Sequence, residues 1–113
     1  MFSQGEDVIL ANPFGPAQRG WPKVRDTMAR AAESYRDGRA FGFDQLAKYV
    51  TPDIADIHEL ERLEARMGGS DELTDVSLRC TTVFRRENDA WRIVHRHADP
   101  ITGTRPAESV IEK

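Results

Sequence analysis

Only one stretch of this chain has the period of an amphipathic helix, and almost everything after it reads as strand. Gly20-Trp21-Pro22 opens the helix, with Pro22 at a favoured first position. Trp21, Val24, Met28, Ala31 or Ala32, and Tyr35 follow as one apolar stripe, and Gly38 is the expected stop. Arg25, Asp26, Arg30, Glu33 and Arg36 fall mostly off the stripe. Strands are expected over 7–12, 41–50, 54 to about 66, 76–87 and 91–99. The breaks between them are Pro13-Phe14-Gly15-Pro16, Thr51-Pro52-Asp53, a hairpin loop over 67–75 and an Asn88-Asp89 turn. The tail from Ile101 to Lys113 is expected to run extended over the surface. A single helix covers only part of one sheet face. The expected fold is therefore α+β, with an antiparallel sheet that either curls into a cone around the helix or is completed by a partner chain.

At 113 residues the chain fits one domain, 1–113, with one core. A charged fraction of 31% beside 39% hydrophobic residues describes a folded chain rather than a disordered tail. The formal net charge of -3 gives no basic footprint, so no nucleic-acid partner is expected. No apolar run is long enough to span a bilayer, and no basic-then-apolar leader opens the chain, so neither a membrane span nor a signal peptide is expected. The single cysteine, Cys80, excludes an internal disulfide framework and suits a reducing cytoplasm.

The stretch Trp91-Arg92-Ile93-Val94-His95-Arg96-His97-Ala98-Asp99 carries the most chemistry. Strand side chains alternate, which assigns Trp91, Ile93, His95, His97 and Asp99 to one face and Arg92, Val94, Arg96 and Ala98 to the other. A face that starts apolar and ends in two imidazoles and a carboxylate suits the wall of a half-polar pocket. Between 76 and 87, Val76, Leu78, Cys80, Thr82 and Phe84 alternate with polar residues and form the expected inner face.

These pieces, in order along the chain, resemble the nuclear transport factor 2-like superfamily, and among its members the SnoaL-like and ketosteroid-isomerase-related proteins. The carrying residues are Asp7-Val8-Ile9-Leu10-Ala11-Asn12-Pro13-Phe14-Gly15, Arg19-Gly20-Trp21, Thr82-Val83-Phe84-Arg85-Arg86-Glu87, and Trp91 to Asp99. The resemblance implies a cystatin-like cone with a pocket inside it and a homodimer formed through the outer face of the sheet. It also implies one or two helices ahead of Asp7, which this chain is expected to lack. Ketosteroid isomerase carries its aspartate base at the position of Asn12, and asparagine accepts no proton at neutral pH. Its oxyanion-hole aspartic acid falls at Thr82, and its tyrosine in the absent helices. Steroid isomerisation is therefore not expected.

The expected activity is binding of a small, partly apolar molecule in the cone. Asn12, Thr82, His95, His97 and Asp99, with His58 beside them, would be its polar groups, and Met28 and Leu60 would form apolar walls. Two rival readings stand beside it. One is a lyase, isomerase or cyclase with His97 as acid or base, paired with Asp99 or Asp56. The other is a dimerisation or interaction module with a vestigial pocket. The His-x-His spacing puts two rings about 7 Å apart on one strand face, where His58 and Asp99 would have to complete a metal site; no metal and no cofactor are expected. Asp53, Asp56, Glu59, Glu61 and Glu64 read as a charge-paired outer surface facing Arg62, Arg66, Arg79 and Arg85. Cys80 reads as a small buried hydrophobe with His97 as a possible cross-strand neighbour. The aromatic set Trp21, Phe14, Tyr35, Phe41, Phe43, Tyr49, Phe84 and Trp91 reads mostly as core packing.

Overall fold

A computed structural model describes residues 1–112; Lys113, the last residue of the expected extended tail, lies outside the described residues. Six strands form one curved sheet: β1 (Ile9–Ala11), β2 (Gln18–Arg19), β3 (Tyr35–Val50), β4 (Ile54–Met67), β5 (Leu73–Glu87) and β6 (Ala90–Asp99). Their spatial order is β2-β1-β6-β5-β4-β3. Three hairpins make β3 to β6 an antiparallel meander, whereas β1 joins β6 in parallel, so the sheet is mixed. The N-terminal residues extend that parallel edge, with Ser3 N–H donating to Ile93 O and Ile93 N–H donating to Met1 O, each at 2.8 Å. The tail contains a short 3-10 turn at Ala107–Val110.

The helix α1 (Trp21–Ser34) starts where the sequence indicates, with Pro22 in its first turn and Gly20 before it at φ 90°, a left-handed conformation that favours glycine. It ends four residues earlier than expected. Tyr35 leaves the helical stripe and opens β3, and Gly38 sits inside that strand beside a register shift between Arg36 and Arg39. Three such shifts bend β3, and Phe41 and Leu46 are the extra residues at two of them. The β5–β6 turn is as tight as expected: Asn88 and Asp89 both take positive φ, 50° and 64°, as a two-residue hairpin of twist-matched type requires.

A fourth irregularity sets the faces of the sheet. Thr82 pairs with Arg96 and Val83 with His95, but Phe84 pairs with Ile93. Val94 is thus an extra residue, and the alternation inverts across it. Trp91 and Ile93 share the helix-side face with Phe84. Beyond Val94 that face passes to Arg96 and Ala98, and His95, His97 and Asp99 turn to the opposite, open face. The expected single face from Trp91 to Asp99 does not form. On β4 the regular register to β5 puts Ala55, Ile57, Glu59, Glu61, Leu63 and Ala65 on the helix side and Asp56, His58, Leu60, Arg62 and Glu64 on the open side.

Burial is concentrated under the helix. Val8 and Val24, both 0% exposed, pack with Leu10, Phe2 and Trp21, and a second cluster joins Leu78, Cys80 and Ala98 with Leu63 and Val76. The aromatic residues contribute less to the core than expected, because Phe14, Phe41, Phe43, Tyr49 and Trp91 all remain exposed. Among the described residues no helix is long and apolar enough to cross a membrane. Val24→Ala removes two buried methyl groups from the helix–sheet seam and should cost about 2 kcal/mol. The urea midpoint, followed by circular dichroism, measures this loss.

Candidate functional site

Two concave regions bear on function, one on each side of the sheet. Between α1 and the sheet lies a cavity of about 330 Å³, walled by Leu10, Met28, Ala31, Leu63, Leu78 and Ala98. Phe2, Pro13 and Tyr35 close its margins, and Asn12, Glu61 and Arg96 supply its polar atoms. The apolar wall follows from β4, β5 and β6 each presenting small or aliphatic residues on the helix side, with Ala98 and Ala31 leaving room that larger side chains would fill. Tyr35 is held at the margin by the Phe14 ring, 5.3 Å away and tilted 54°.

Arg96 anchors the polar patch. Its Nη2 donates to Glu61 Oε2 at 2.8 Å and lies 3.7 Å from Cys80 Sγ, and its Nη1 donates to Thr82 Oγ1 at 3.2 Å. Burial weighs against the guanidinium charge, but the hydrogen bond and charge of Glu61 outweigh it and raise the Arg96 pKa. Burial pushes the Cys80 thiol up to about 12 despite the pull of Arg96. Burial, followed by the charge of Glu61, also raises the Glu59 carboxyl. Asn12 uses Oδ1 to accept the Phe14 N–H at 3.0 Å, a local turn that fixes the cavity rim.

The other region is a shallow groove of about 270 Å³ on the open face, around Leu46, His58, Arg79, Thr81 and His97. His58, Thr81 and His97 stand side by side on three neighbouring strands. Thr81 Oγ1 lies 3.2 Å from His58 Nδ1. His58 Nε2 is 3.2 Å from Asp56 Oδ1, near enough for an ion pair but misaligned for a hydrogen bond, which leaves that oxygen buried without a donor. His97 Nε2 is 3.0 Å from Asp99 Oδ2. Asp99 is committed elsewhere, since both its oxygens accept from Arg79 Nε, at 2.8 and 3.0 Å, and Oδ1 also accepts from Ile101 N–H. Those partners outweigh burial and hold the Asp99 carboxyl below its ordinary value.

The six sequence-predicted polar residues are therefore split between the two faces. Asn12 lines the helix-side cavity, and Thr82 stands behind Arg96 on the same side. His58, His95, His97 and Asp99 are on the open face, so none of them reaches into the cone; the inversion at Val94 is the cause for the last three. Leu60 also faces away, in line with Arg62. His97 is not the neighbour of the Cys80 side chain; Arg96 is. Among the described residues no three His, Cys, Asp or Glu side chains converge as metal ligands. The carboxylate run divides as well. Glu61 pairs inward with Arg96, Glu64 pairs outward with Arg39, and Arg62, Arg66 and Arg79 take Asp44, Asp37 and Asp99 instead. Glu61 and Arg96 are the polar cavity residues that sequence reasoning missed. No clean alternation marks them, since Glu59 shares the β4 face of Glu61 and Arg92 shares the sequence alternation of Arg96.

The family model described as SnoaL-like domain matches residues 1–101. Among solved structures, a nuclear transport factor 2-like superfamily protein from Salmonella enterica serovar Typhimurium superposes with a TM-score of 0.77 at 18% identity, over 96% of this chain and 78% of that one. A candidate dehydratase of the same superfamily from Streptomyces avermitilis gives 0.73 at 24% identity, over 85% and 68%. A ketosteroid isomerase-like protein from Erwinia carotovora atroseptica gives 0.73 at 13% identity, over 90% and 77%. At these identities the likeness is one of fold. No curated protein sequence matches the chain.

With a pKa near 12, only about one Cys80 in ten thousand is thiolate at pH 8. Ellman's reagent should leave the native protein unmodified over an hour at that pH and react with one thiol immediately in 6 M guanidinium.

Proposed function

The chain belongs to the SnoaL-like domain family, and on that footing we propose that it binds a small, partly apolar molecule in the cavity between α1 and the sheet. The carrying observation is the cavity wall itself, apolar over most of its area and polar at Asn12, Tyr35, Glu61 and Arg96. A largely preformed apolar cleft with a few convergent polar groups is the usual form of a small-molecule site. His97 stands on the far face and has no part in this reading, and Asn12 supplies no base. A free, buried cysteine suits the cytoplasm as the site of action.

Dansylamide, a neutral apolar fluorophore, should bind with a blue-shifted emission. Met28→Trp, at the partly exposed cavity margin, should weaken that binding about tenfold while leaving the melting temperature within a few degrees. Equal binding by the variant would place the probe elsewhere and overturn the reading.

A homodimer is the second part of the proposal, and β3 is what favours it. This edge strand exposes Phe41, Phe43, Leu46, Tyr49 and Val50, with Leu46 at 68% and Tyr49 at 63% exposure. The register puts Phe43 and Val50 on the helix side and Tyr49 on the open side, so this edge is apolar on both faces, and a second copy paired edge to edge presents the same set in return. Light scattering should give twice the 12.8 kDa chain mass. Leu46→Asp should return the monomer with an unchanged circular dichroism spectrum, and a wild-type monomer at micromolar concentration would remove the dimer.

A further inference from the structure

We infer that the ligand is an organic acid, with its apolar body in the helix-side cavity and its carboxylate on Arg30 in the groove that adjoins it. This inference rests on the ligand-binding reading above and adds the class of ligand.

The cavity itself selects no charge, because Glu61 and Arg96 pair within it at 2.8 Å. The neighbouring groove does. It has a volume of about 240 Å³ and lies between the second half of α1 and the loop from β1 to β2. Asn12 and Ala31 line both concavities, and Phe14 of the groove packs on Tyr35 of the cavity. No Asp or Glu lines the groove, and Arg30 is its one charged side chain among the described residues. Arg39, Arg62, Arg66, Arg79, Arg85 and Arg96 each meet a carboxylate elsewhere in the fold. Arg30 instead donates from Nη2 to the neutral Thr27 Oγ1, at 3.2 Å. An acid placed there supplies the partner that the other guanidinium groups already have.

Hydrogen-bond commitments point the same way. The Thr27 and Ser34 hydroxyls donate to Lys23 O and Arg30 O within the helix, at 2.8 and 3.3 Å. Asn12 Oδ1 accepts the Phe14 N–H, which fixes the amide and leaves Nδ2 as its end with capacity. Where the two concavities adjoin, the groups left to meet a ligand head are thus N–H donors, from Asn12 and Arg30. A carboxylate only accepts, and so matches them. An ammonium only donates, and would meet the like charge of Arg30.

Three fluorescent probes with a shared alkyl arm and different ends test this on the purified protein at pH 7.5 and physiological salt: dansylaminohexanoic acid (anion), its methyl ester (neutral) and dansylcadaverine (cation). The acid should bind about tenfold more tightly than the ester, and dansylcadaverine should bind most weakly. The net charge of -3 opposes that order, so the general field of the protein does not produce it. Arg30→Gln, at an exposed position, should reduce the acid-to-ester ratio to about twofold or less with ester affinity unchanged. Arg25→Gln, on the same helix but lining neither concavity, should leave the ratio intact. An ester that binds as tightly as the acid would overturn the inference and spare the ligand-binding reading. So would a ratio that survives Arg30→Gln, or one that falls equally in Arg25→Gln. Failure of all three probes to bind would overturn both.

Discussion

The extra residue at Val94 governs what the helix-side face can hold. Without it, β6 would continue the alternation begun by Trp91 and Ile93 and direct His95, His97 and Asp99 under α1. With it, the same positions carry Arg96 and Ala98. Ala98 is small enough to leave a void beside Leu78, and Arg96 is long enough to cross β5 and meet Glu61 on β4. The cavity, its inward ion pair and the exclusion of His95 and His97 from it all depend on this bulge. The parallel bridge from Met1 and Ser3 to Ile93 pins the strand one residue before the inversion, which fixes where it occurs.

The ion pair that results is not a strong source of stability. Desolvating two charged groups offsets most of their attraction, and a well-packed apolar pair in their place is often neutral or better. Glu61 and Arg96 are mostly buried, with side-chain exposures of 15% and 25%, so this cost is real. Thr82 and the Cys80 sulfur complete the guanidinium's contacts and hold it in one orientation. A preoriented charged pair at the end of an otherwise apolar cavity therefore carries a desolvation cost that a core made only of Leu63, Leu78 and Ala98 would not.

Much of this architecture was legible from sequence, for reasons that can be assigned to particular residues. Pro22 and the Val24, Met28 and Ala31 spacing marked α1, Asn88-Asp89 marked the β5–β6 turn, and the alternation from Val76 to Phe84 marked the inner face of β5. Each is a local signal. The failures are all non-local. Nothing in Ile93-Val94-His95 distinguishes a bulge from a regular strand, because a β-branched residue suits both. The inward face of β4 has no clean apolar alternation, since Glu59 and Glu61 lie on it and only the register to β5 decides the matter. Tyr35 keeps the helical spacing yet belongs to β3, because pairing with Met67 outcompetes one more helical turn. Size alone suggests the core for the aromatic residues, but the sheet edge holds Phe41, Phe43 and Tyr49.

That last displacement bears on how the chain is held together. Eight hydrophobic residues are buried among the described residues, and the largest fully buried side chains are only valines, Val8 and Val24. A radius of gyration of 15.2 Å exceeds the value of about 13 Å for a compact chain of this length. The long β3–β4–β5 hairpins carry their aromatic and aliphatic residues away from α1, where no second layer of the same chain reaches them. A sheet buries its apolar side chains only against another layer, and one helix of 14 residues, packed against β1, β2 and β3, covers only part of this one. The apolar surface of β3 is therefore the counterpart of the small core. Residues that a larger monomer would place inside lie at the sheet edge, outside the reach of the single helix.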